Sequence, residues 1–204
     1  MSASVAPLWH SEQEGRWHAA LADYDAAIAA VPSGRLVEHD VWYRTELPAL
    51  IASRTPRCVL HDEMVRITEW KMARGVWRAP NLVLVRSNTP DAVIEASRSA
   101  WEQIPHPTRP VTALVALKGV GAATASALLA VMAPAEYPFF DEDVAAQVPQ
   151  LGTVAWTNGY YAKYAVAQRE RSAQLSAIFA QAFTPVMVER ALWATRATAR
   201  PTTP

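Results

Sequence analysis

The stretch at 117–129, LKGVGAATASALL, decides how the middle of the chain folds. Two of the chain's seven glycines, Gly119 and Gly121, stand here one residue apart, between two apolar runs. Glycine permits a positive φ and close backbone approach, so the pair predicts a tight turn between two helices at 111–133. The N–H groups that open the second helix have no intrahelical acceptor, and together with the helix dipole they form an anion site. The small residues that follow allow the two helices to pack closely.

The rest of the chain predicts an all-α protein, because alanine, leucine, glutamate, glutamine and arginine dominate and β-branched alternation is scarce. A capping box at Ser11 and Glu14 opens the first predicted helix, and Gly75 closes the third. Only the segment NLVLVRS at 81–87 has a strand-like run. The predicted helices are 11–31, 38–53 with Pro48 inside it, 61–75, 90–104, 111–117, 122–132, 141–148, 158–183 and 185–195.

Composition limits the functions open to this chain, which we expect to form a single domain at 1–196 followed by a disordered tail at 197–204. The 204 residues carry 19 basic and 19 acidic side chains, so the basic excess usual in nucleic-acid-binding proteins is missing. One cysteine, Cys58, cannot form an internal disulfide or an iron–sulfur site, and the five histidines lack zinc-ligand spacing, so we expect no metal. No membrane-spanning run or signal peptide is visible, and a reducing cytoplasm is the expected compartment.

The glycine stretch resembles the hairpin of helix-hairpin-helix DNA-binding proteins, whose pattern is Leu-Pro-Gly-Val-Gly, two variable residues and Thr-Ala. The matching residues are Leu117, Gly119, Val120, Gly121, Thr124 and Ala125, with Lys118 in place of the proline. The resemblance implies that the hairpin binds a DNA phosphate, often with a monovalent cation, K⁺ or Na⁺, on the hairpin carbonyls. The residues that it assigns to the phosphate are Lys118, Gly119, Val120, Gly121, Ala122, Ala123 and Thr124. A plain turn between two packed helices is the alternative interpretation.

A second motif, PFFDEDVAA at 138–146, extends the resemblance to the helix-hairpin-helix DNA glycosylase superfamily. In that superfamily an aspartate follows the second hairpin glycine by about twenty residues, and here Asp141 stands twenty residues after Gly121. The family's aspartate stabilises positive charge on the sugar as the base leaves, or activates water. Asp141 is therefore the catalytic candidate, with Glu142 and Asp143 as alternatives. A cap for the short helix that follows is the competing role for Asp141.

Departures from the family narrow the chemistry that the resemblance implies. The lysine of glycosylase-lyases corresponds to Ala123, so the resemblance implies monofunctional hydrolysis, without a lyase step by that route. The iron–sulfur cysteines are missing, and Asp143 replaces the usual histidine. A carboxylate in that position would repel a nearby DNA phosphate.

Aromatic and basic residues are candidates for a substrate pocket, because a base must leave the stack before an enzyme can act on it. Trp70 and Arg74 lie four residues apart on one predicted helix face, and Trp77 extends that face past Gly75. For the tryptophans we favour a packed core pair over a pocket. The candidates for the pocket or for a basic patch are Trp70, Lys71, Arg74, Arg78, Tyr137, Phe139 and Phe140.

The sequence therefore predicts an all-α, DNA-glycosylase-like helical bundle that binds duplex DNA through its hairpin and serves DNA repair. If the protein is catalytic, we expect it to be a hydrolase of the N-glycosidic bond that depends on Asp141. Two alternatives stay open: a non-catalytic helix-hairpin-helix binding module, and an enzyme of the same fold that acts on a small molecule such as a nucleoside. The formal net charge of zero weighs against tight, non-specific DNA binding.

Overall fold

Helices form every regular element in the part of the chain that the computed structural model describes, the backbone of residues 7–199 and the side chains of residues 7–196. No strand occurs there, so the all-α prediction is confirmed. None of the helices within these residues is long and apolar enough to cross a membrane. In chain order the helices are α1 Glu14–Ala22, α2 Tyr24–Ala29, α3 Leu36–Val41, α4 Leu47–Ala52, α5 His61–Arg74, α6 Ala79–Arg86, α7 Pro90–Glu102, α8 Arg109–Val115, α9 Ala122–Met132, α10 Glu142–Ala145, α11 Asn158–Phe179 and α12 Pro185–Ala199.

Helix α9 lies at the centre of the bundle, with α4, α5, α8 and α11 packed around it. All of its residues, from Ala122 to Met132, are buried. A helix that is apolar on every side is stable only inside a core, and the small side chains of Ala125 and Ala127 let its neighbours come close. Tyr43, in a π-helical turn that joins α3 to α4, donates its hydroxyl to the Ala127 carbonyl at 2.7 Å. The glycine stretch therefore leads into the central helix of the core.

One glycine and one asparagine shape the turn between α8 and α9. Gly119 has a φ of +73°, and a Cβ there would lie 2.7 Å from the Asn81 carbonyl oxygen and 2.9 Å from the Val85 nitrogen of α6. Asn88 accepts a hydrogen bond from the Lys118 N–H at 2.9 Å and donates one to the Lys118 carbonyl at 3.0 Å. The predicted turn forms, and Gly119 meets both conditions for glycine, a positive φ and a close approach to another backbone.

Gly121 is not constrained by the fold in the same way. Its φ of −102° and ψ of −177° are extended values that any residue adopts. No other atom lies within 4 Å of a Cβ built on this glycine. The fold therefore leaves open space at the Cβ position of Gly121, next to the first turn of α9.

The first predicted helix differs from the structure at its start and in its middle. Ser11 does not cap it, because the Ser11 hydroxyl accepts from the nearby Gln13 N–H at 3.3 Å and α1 begins only after Gln13. The Ser11 carbonyl instead accepts from the side chains of Trp17 and Arg171, both at 2.7 Å. A break at Asp23 then divides the predicted helix into α1 and α2.

The segment at 81–87, whose run is strand-like, is helical in the structure. It forms most of α6, with Pro80 in the first turn. The described residues contain no strand that could pair with it, and an isolated strand is not stable. Leu82 and Val85, three residues apart, bury one face of the helix instead.

Several predicted helix ends need only small corrections. Helix α5 ends at Arg74 as predicted, so Trp77 lies beyond it and does not extend its face. Thr89 caps α7 as predicted, accepting from the Ala92 N–H at 3.3 Å. The backbone of α12 continues to Ala199, so residues 197–199 of the predicted disordered tail belong to a helix. Residues 200–204 of that tail lie outside the described part of the chain.

We expect Gly119→Ala to lower the free energy of unfolding by at least about 2 kcal/mol, because a positive φ and three contacts under 3 Å oppose any side chain. Gly121→Ala is the matched control and should lower it by less than about 1 kcal/mol, since its Cβ would enter open space. Urea unfolding followed by circular dichroism measures both values. Equal losses in the two variants would contradict the roles given to these glycines.

Candidate functional site

A pocket of about 390 Å³ opens where the end of α5, the start of α9 and the segment before α10 meet. Its volume lies within the range of small-ligand sites, roughly 300–1,000 Å³. The pocket brings together residues that the sequence predicts separately as a basic patch, a hairpin and an acid cluster. The predicted residues in its wall are Lys71, Arg74, Arg78, Gly121, Ala122, Ala123, Thr124, Phe139, Phe140, Asp141, Glu142 and Asp143.

The other predicted site residues lie outside the pocket wall. Trp70 is part of the core, where its ring stacks on that of Tyr43 with 3.9 Å between centroids. Tyr137 is buried and donates its hydroxyl to the His106 carbonyl at 2.8 Å, so it contacts a connector and not the pocket. The residues that form the turn beside the pocket are Lys118, Gly119 and Val120.

Hydrogen bonds from two helices fix the segment that precedes α10. Tyr161 and Tyr164 of α11 donate their hydroxyls to the carbonyls of the two residues before Phe140, at 3.1 and 2.9 Å. The Phe140 N–H donates to the Ser126 hydroxyl of α9 at 2.9 Å. This support places Asp141, the next residue, at the pocket.

Asp141 makes two kinds of contact at once. Its Oδ1 accepts from the N–H groups of Asp143 at 2.9 Å and Val144 at 3.4 Å, so it caps α10. Its Oδ2 lies 3.6 Å from the Nε of Arg74. Burial raises the pKa of Asp141 above its ordinary value, while Arg74 opposes the rise and Asp143 adds to it. A carboxyl with a raised pKa exchanges its proton closer to neutral pH, as acid–base chemistry requires.

Asp141, Glu142 and Asp143 all line the pocket. Three successive residues of one helix could not all face one pocket, because each is rotated by about 100° from the one before. All three can do so here because Asp141 precedes α10 in an extended conformation, and only Glu142 and Asp143 belong to the helix. Glu142 is exposed, and Asp143 lies 3.9 Å from the guanidinium of Arg196 in α12. Asp141 is the most enclosed of the three, with 11% of its side chain exposed against 20% for Asp143.

Arg74 is the buried cation behind Asp141. Its side chain is 1% exposed, and it donates a hydrogen bond to the buried carboxylate of Glu189 in α12. Burial alone would lower the pKa of Arg74, but the carboxylates of Glu189 and Asp141 reverse this effect and raise it. Aromatic rings enclose the guanidinium, with the ring centroids of Trp193 and Phe139 at 4.3 and 5.1 Å from its Cζ.

Groups that favour an anion line the same pocket. Helix α9 begins at Ala122 without a side-chain cap, as several other helices do, and the residues of its first turn line the pocket. The N–H groups of that turn have no intrahelical acceptor. Lys71 and the exposed Arg78 add two cations to the wall. Burial lowers the pKa of Lys71, Arg78 lowers it further, and Asp141 opposes both. The pocket thus presents cations and free N–H groups beside an enclosed carboxyl.

Sequence reasoning misses two residues that shape this site. Trp156 lines the pocket, is 51% exposed, and packs on Phe140 with 4.9 Å between ring centroids. Nothing in the sequence around Trp156 marks it as part of a site. Glu189 has one signal, because it and Arg190 are the only charged residues in the apolar run PVMVERALW at 185–193.

Two predictions concern bound ions: the sequence predicts no metal, and the resemblance implies a monovalent cation at the hairpin. Among residues 7–196, no group of three or more His, Cys, Asp or Glu side chains could hold a metal ion. Two carbonyls of the turn already accept hydrogen bonds, that of Leu117 from the Val120 N–H and that of Lys118 from Asn88. A monovalent cation on the hairpin carbonyls stays a prediction of the resemblance.

Comparisons with protein-family models, with curated proteins and with solved structures found no match to this chain. The resemblance to the helix-hairpin-helix glycosylases therefore rests on the two sequence motifs. The function has to be inferred from the residues that meet at the pocket.

We expect the free energy of unfolding to fall as the pH rises from about 4.5 towards 7, because burial raises the pKa of Glu189 from 4.5 to about 7. In this range the folded state binds more protons than the unfolded state, so each step up in pH favours unfolding. Glu189→Gln cannot titrate and should show a shallower slope, with a difference of at most about 3 kcal/mol over the range.

Urea unfolding at a series of pH values measures these slopes. The exposed Glu170 offers the matched control Glu170→Gln, which should keep the slope of the unaltered protein. Parallel curves for the unaltered protein and Glu189→Gln would show that Glu189 does not have the raised pKa.

Proposed function

We propose that the protein binds DNA at the N-terminus of α9 and releases a base from a nucleotide held in the pocket, by hydrolysis of the N-glycosidic bond. One observation carries the proposal: the uncapped start of α9 and the enclosed carboxyl of Asp141 line the same cavity. An anion site next to a carboxyl suits a substrate with a phosphate on one side and a sugar that gains positive charge on the other.

The start of α9 supplies the phosphate-binding groups of this proposal. The N–H groups of the first turn are free of intrahelical acceptors, and the helix dipole favours an anion there. The open space in front of Gly121 lets a phosphate oxygen approach the backbone, which a larger side chain would prevent. Lys118, exposed on the adjoining turn, and Arg78 at the pocket can contact the flanking phosphates.

The aromatic side chains of the pocket supply a surface for the extruded base. Trp156 and Phe140 both line the cavity and pack on each other, and the exposed ring of Trp156 offers a face for stacking. Stacking of a base on an aromatic side chain contributes about 1–3 kcal/mol and tolerates different bases. A base that leaves the duplex needs such a partner to replace the stacking that it loses.

Asp141 is the carboxyl that would act on the sugar. In its ionised form it stabilises the positive charge that develops as the base departs, or it accepts a proton from the attacking water. The N–H groups of α10 donate to its Oδ1, so the carboxyl is oriented before the substrate arrives, and the Arg74 guanidinium lies 3.6 Å from its Oδ2 without a hydrogen bond. Glu142 and Asp143 are less enclosed and are the alternatives for this role.

The charge of the chain favours a second candidate, an enzyme of this fold that acts on a free nucleoside or nucleotide. The formal net charge is zero, and three acids line the pocket, so a long phosphate backbone would meet repulsion as well as attraction. A free nucleoside has no phosphate and a free nucleotide brings only its own, so the repulsion would be smaller than for a long phosphate backbone. Binding of a mononucleotide at least as tight as binding of a duplex would favour this second candidate.

We expect Gly121→Glu to weaken the binding of a DNA duplex carrying an abasic-site analogue by at least about tenfold, because a carboxylate would occupy the phosphate position. Binding by the unaltered protein should itself weaken by about tenfold between roughly 50 and 200 mM salt, as phosphate contacts require. Fluorescence anisotropy with a labelled duplex measures both effects.

Gly15→Glu is the matched control, since Gly15 is exposed on α1, away from the pocket wall, and also has nothing within 4 Å of a built Cβ. It adds the same charge and should leave binding unchanged. Absence of binding at low salt, or equal weakening by both substitutions, would reject DNA binding at the start of α9.

A further inference from the structure

Thr124 places a hydroxyl in the pocket wall, and the proposed hydrolysis does not use it. The residue is 4% exposed and belongs to the first turn of α9. Within residues 7–196 its hydroxyl makes no hydrogen bond. The hydroxyls of Thr45, Thr68 and Thr112, by contrast, each donate to the carbonyl four residues earlier, at 2.6–3.1 Å. A buried hydroxyl without a partner costs free energy, so its position in the wall favours a ligand that pairs with it.

The place of Thr124 in its helix explains why the hydroxyl is unpaired. It is the third residue of α9, so the carbonyl four residues earlier belongs to Val120, in the turn before the helix. The backbone N–H groups of the same first turn also have no acceptor within the helix. The hydroxyl and these backbone donors therefore share the end of the helix at which the dipole favours an anion.

A second unpartnered donor lies in the same pocket wall. The Nε of Arg74 is buried and has no hydrogen-bond partner, and the Oδ2 of Asp141 lies 3.6 Å from it. Two hydrogen bonds connect the segment before α10 to the start of α9. The Phe140 N–H donates to the Ser126 hydroxyl at 2.9 Å, and that hydroxyl donates to the Ala123 carbonyl at 2.8 Å. These bonds hold Asp141, the residue after Phe140, close to the first turn of α9.

The first turn of α9 is reached through the pocket. Ala122, Ala123 and Thr124 are each at most 6% exposed, and all three line the cavity. A phosphodiester within a strand needs room for a sugar on both sides of the phosphate. A phosphate monoester needs room for a sugar on one side only, so the enclosed turn suits the monoester better.

The charges of the pocket wall also favour a monoester. Near pH 7 a phosphate monoester carries about 1.5–2 negative charges and three acceptor oxygens, whereas a diester carries one charge. Two of the three acids in the wall have a guanidinium within 4 Å, which reduces their repulsion of an anion. The cations that line the wall are Lys71, Arg74 and Arg78.

We infer that the first turn of α9 binds the phosphate monoester of a nucleotide, and that the Thr124 hydroxyl donates to one of its oxygens. The inference rests on the proposed function, because it narrows the substrate of that pocket to a nucleotide with a terminal phosphate. Two sources share this chemistry, a free mononucleotide and the phosphorylated end of a DNA strand.

Isothermal titration calorimetry on the full chain tests this inference. The probes are the 2′-deoxynucleoside 5′-monophosphates of the common bases, the matching nucleosides, and the matching dinucleotides, which have one internal diester and no terminal phosphate. We expect at least one mononucleotide to bind at least about tenfold more tightly than its nucleoside and its dinucleotide, since hydrogen bonds to a charged oxygen are the strong ones.

Three variants separate the hydroxyl from the fold around it. Thr124→Val keeps the shape of the side chain but removes the hydroxyl, so it should weaken mononucleotide binding by at least about tenfold and leave nucleoside binding unchanged. Thr124→Ser should keep mononucleotide binding. Thr112→Val, on the exposed side of α8 and outside the pocket wall, is the matched control and should bind as the unaltered protein does. If Thr124→Val does not fold, as circular dichroism would show, the ranking of the probes by the unaltered protein decides the question.

A DNA duplex with phosphates at its strand ends, compared with the same duplex without them, separates the two sources. Tighter binding of the phosphorylated duplex than of any free mononucleotide would assign the monoester to a strand end. Tighter binding of a free mononucleotide would assign it to the small molecule. Both results support a monoester at the start of α9.

Other outcomes overturn the inference or the proposed function separately. Equal affinities for mononucleotide, nucleoside and dinucleotide, or a mononucleotide affinity that Thr124→Val leaves unchanged, would overturn the inference. Base release from within a duplex, without any preference for a monoester, would overturn it and leave the proposed function in place. Mononucleotide binding that needs the Thr124 hydroxyl, without base release from any substrate, would support the inference and reject the proposed hydrolysis.

Discussion

A single buried cation, the guanidinium of Arg74, joins the helices on which the pocket depends. From α5 it binds Glu189 of α12 and approaches Asp141 ahead of α10, and four aromatic rings surround it. Removing such a charge from water costs several kcal/mol unless its partners replace the lost hydration. The hydrogen bond to Glu189, the nearby Asp141 carboxylate and the π faces replace part of that hydration, while the Nε of Arg74 has no hydrogen-bond partner. Any change that separates these helices would leave a buried charge without its partner. The arrangement of Arg74, Glu189 and Asp141 is therefore well defined.

The network continues from Arg74 into the other side of the bundle. Its Nη1 lies 3.4 Å from the Tyr24 hydroxyl, which in turn donates to Asp40 at 2.9 Å. Asp40 also accepts from the Trp70 indole at 2.9 Å and from Arg44 at 2.6 Å. Linked polar groups in a core fix one packing arrangement, because each is costly to leave unpaired. The walls of the pocket and the packing of the core therefore share one network, in which Arg74 links Asp141 at the pocket to Tyr24 and Asp40 in the core.

Local patterns predicted the parts of this fold whose causes are local. The turn at Gly119, the end of α5 before Gly75 and the cap of α7 by Thr89 each follow from one or two neighbouring residues. The segment at 81–87 has a strand-like run although it is helical, because apolar content alone does not show whether a partner strand exists. Contacts between residues far apart in the sequence cannot be predicted from local patterns. No pattern near Glu189 indicates its contact with Arg74, and none near Trp156 indicates its place in the pocket wall. The acid cluster is predicted only from the twenty-residue spacing that the resemblance supplies. That spacing does not predict the extended conformation of Asp141, which lets all three acids line one cavity.

The most direct test of the central claim, that the fixed carboxyl of Asp141 drives removal of a base, is base release by Asp141→Asn. Asparagine caps a helix as well as aspartate does, so the variant should keep α10 and its thermal stability while losing the negative charge. The measurement is free base released from duplexes that each carry one damaged base. We expect release from at least one duplex by the unaltered protein, and a loss of at least about a hundredfold in a folded Asp141→Asn. Release by the variant at the full rate, or no release by the unaltered protein from any duplex, would contradict the claim.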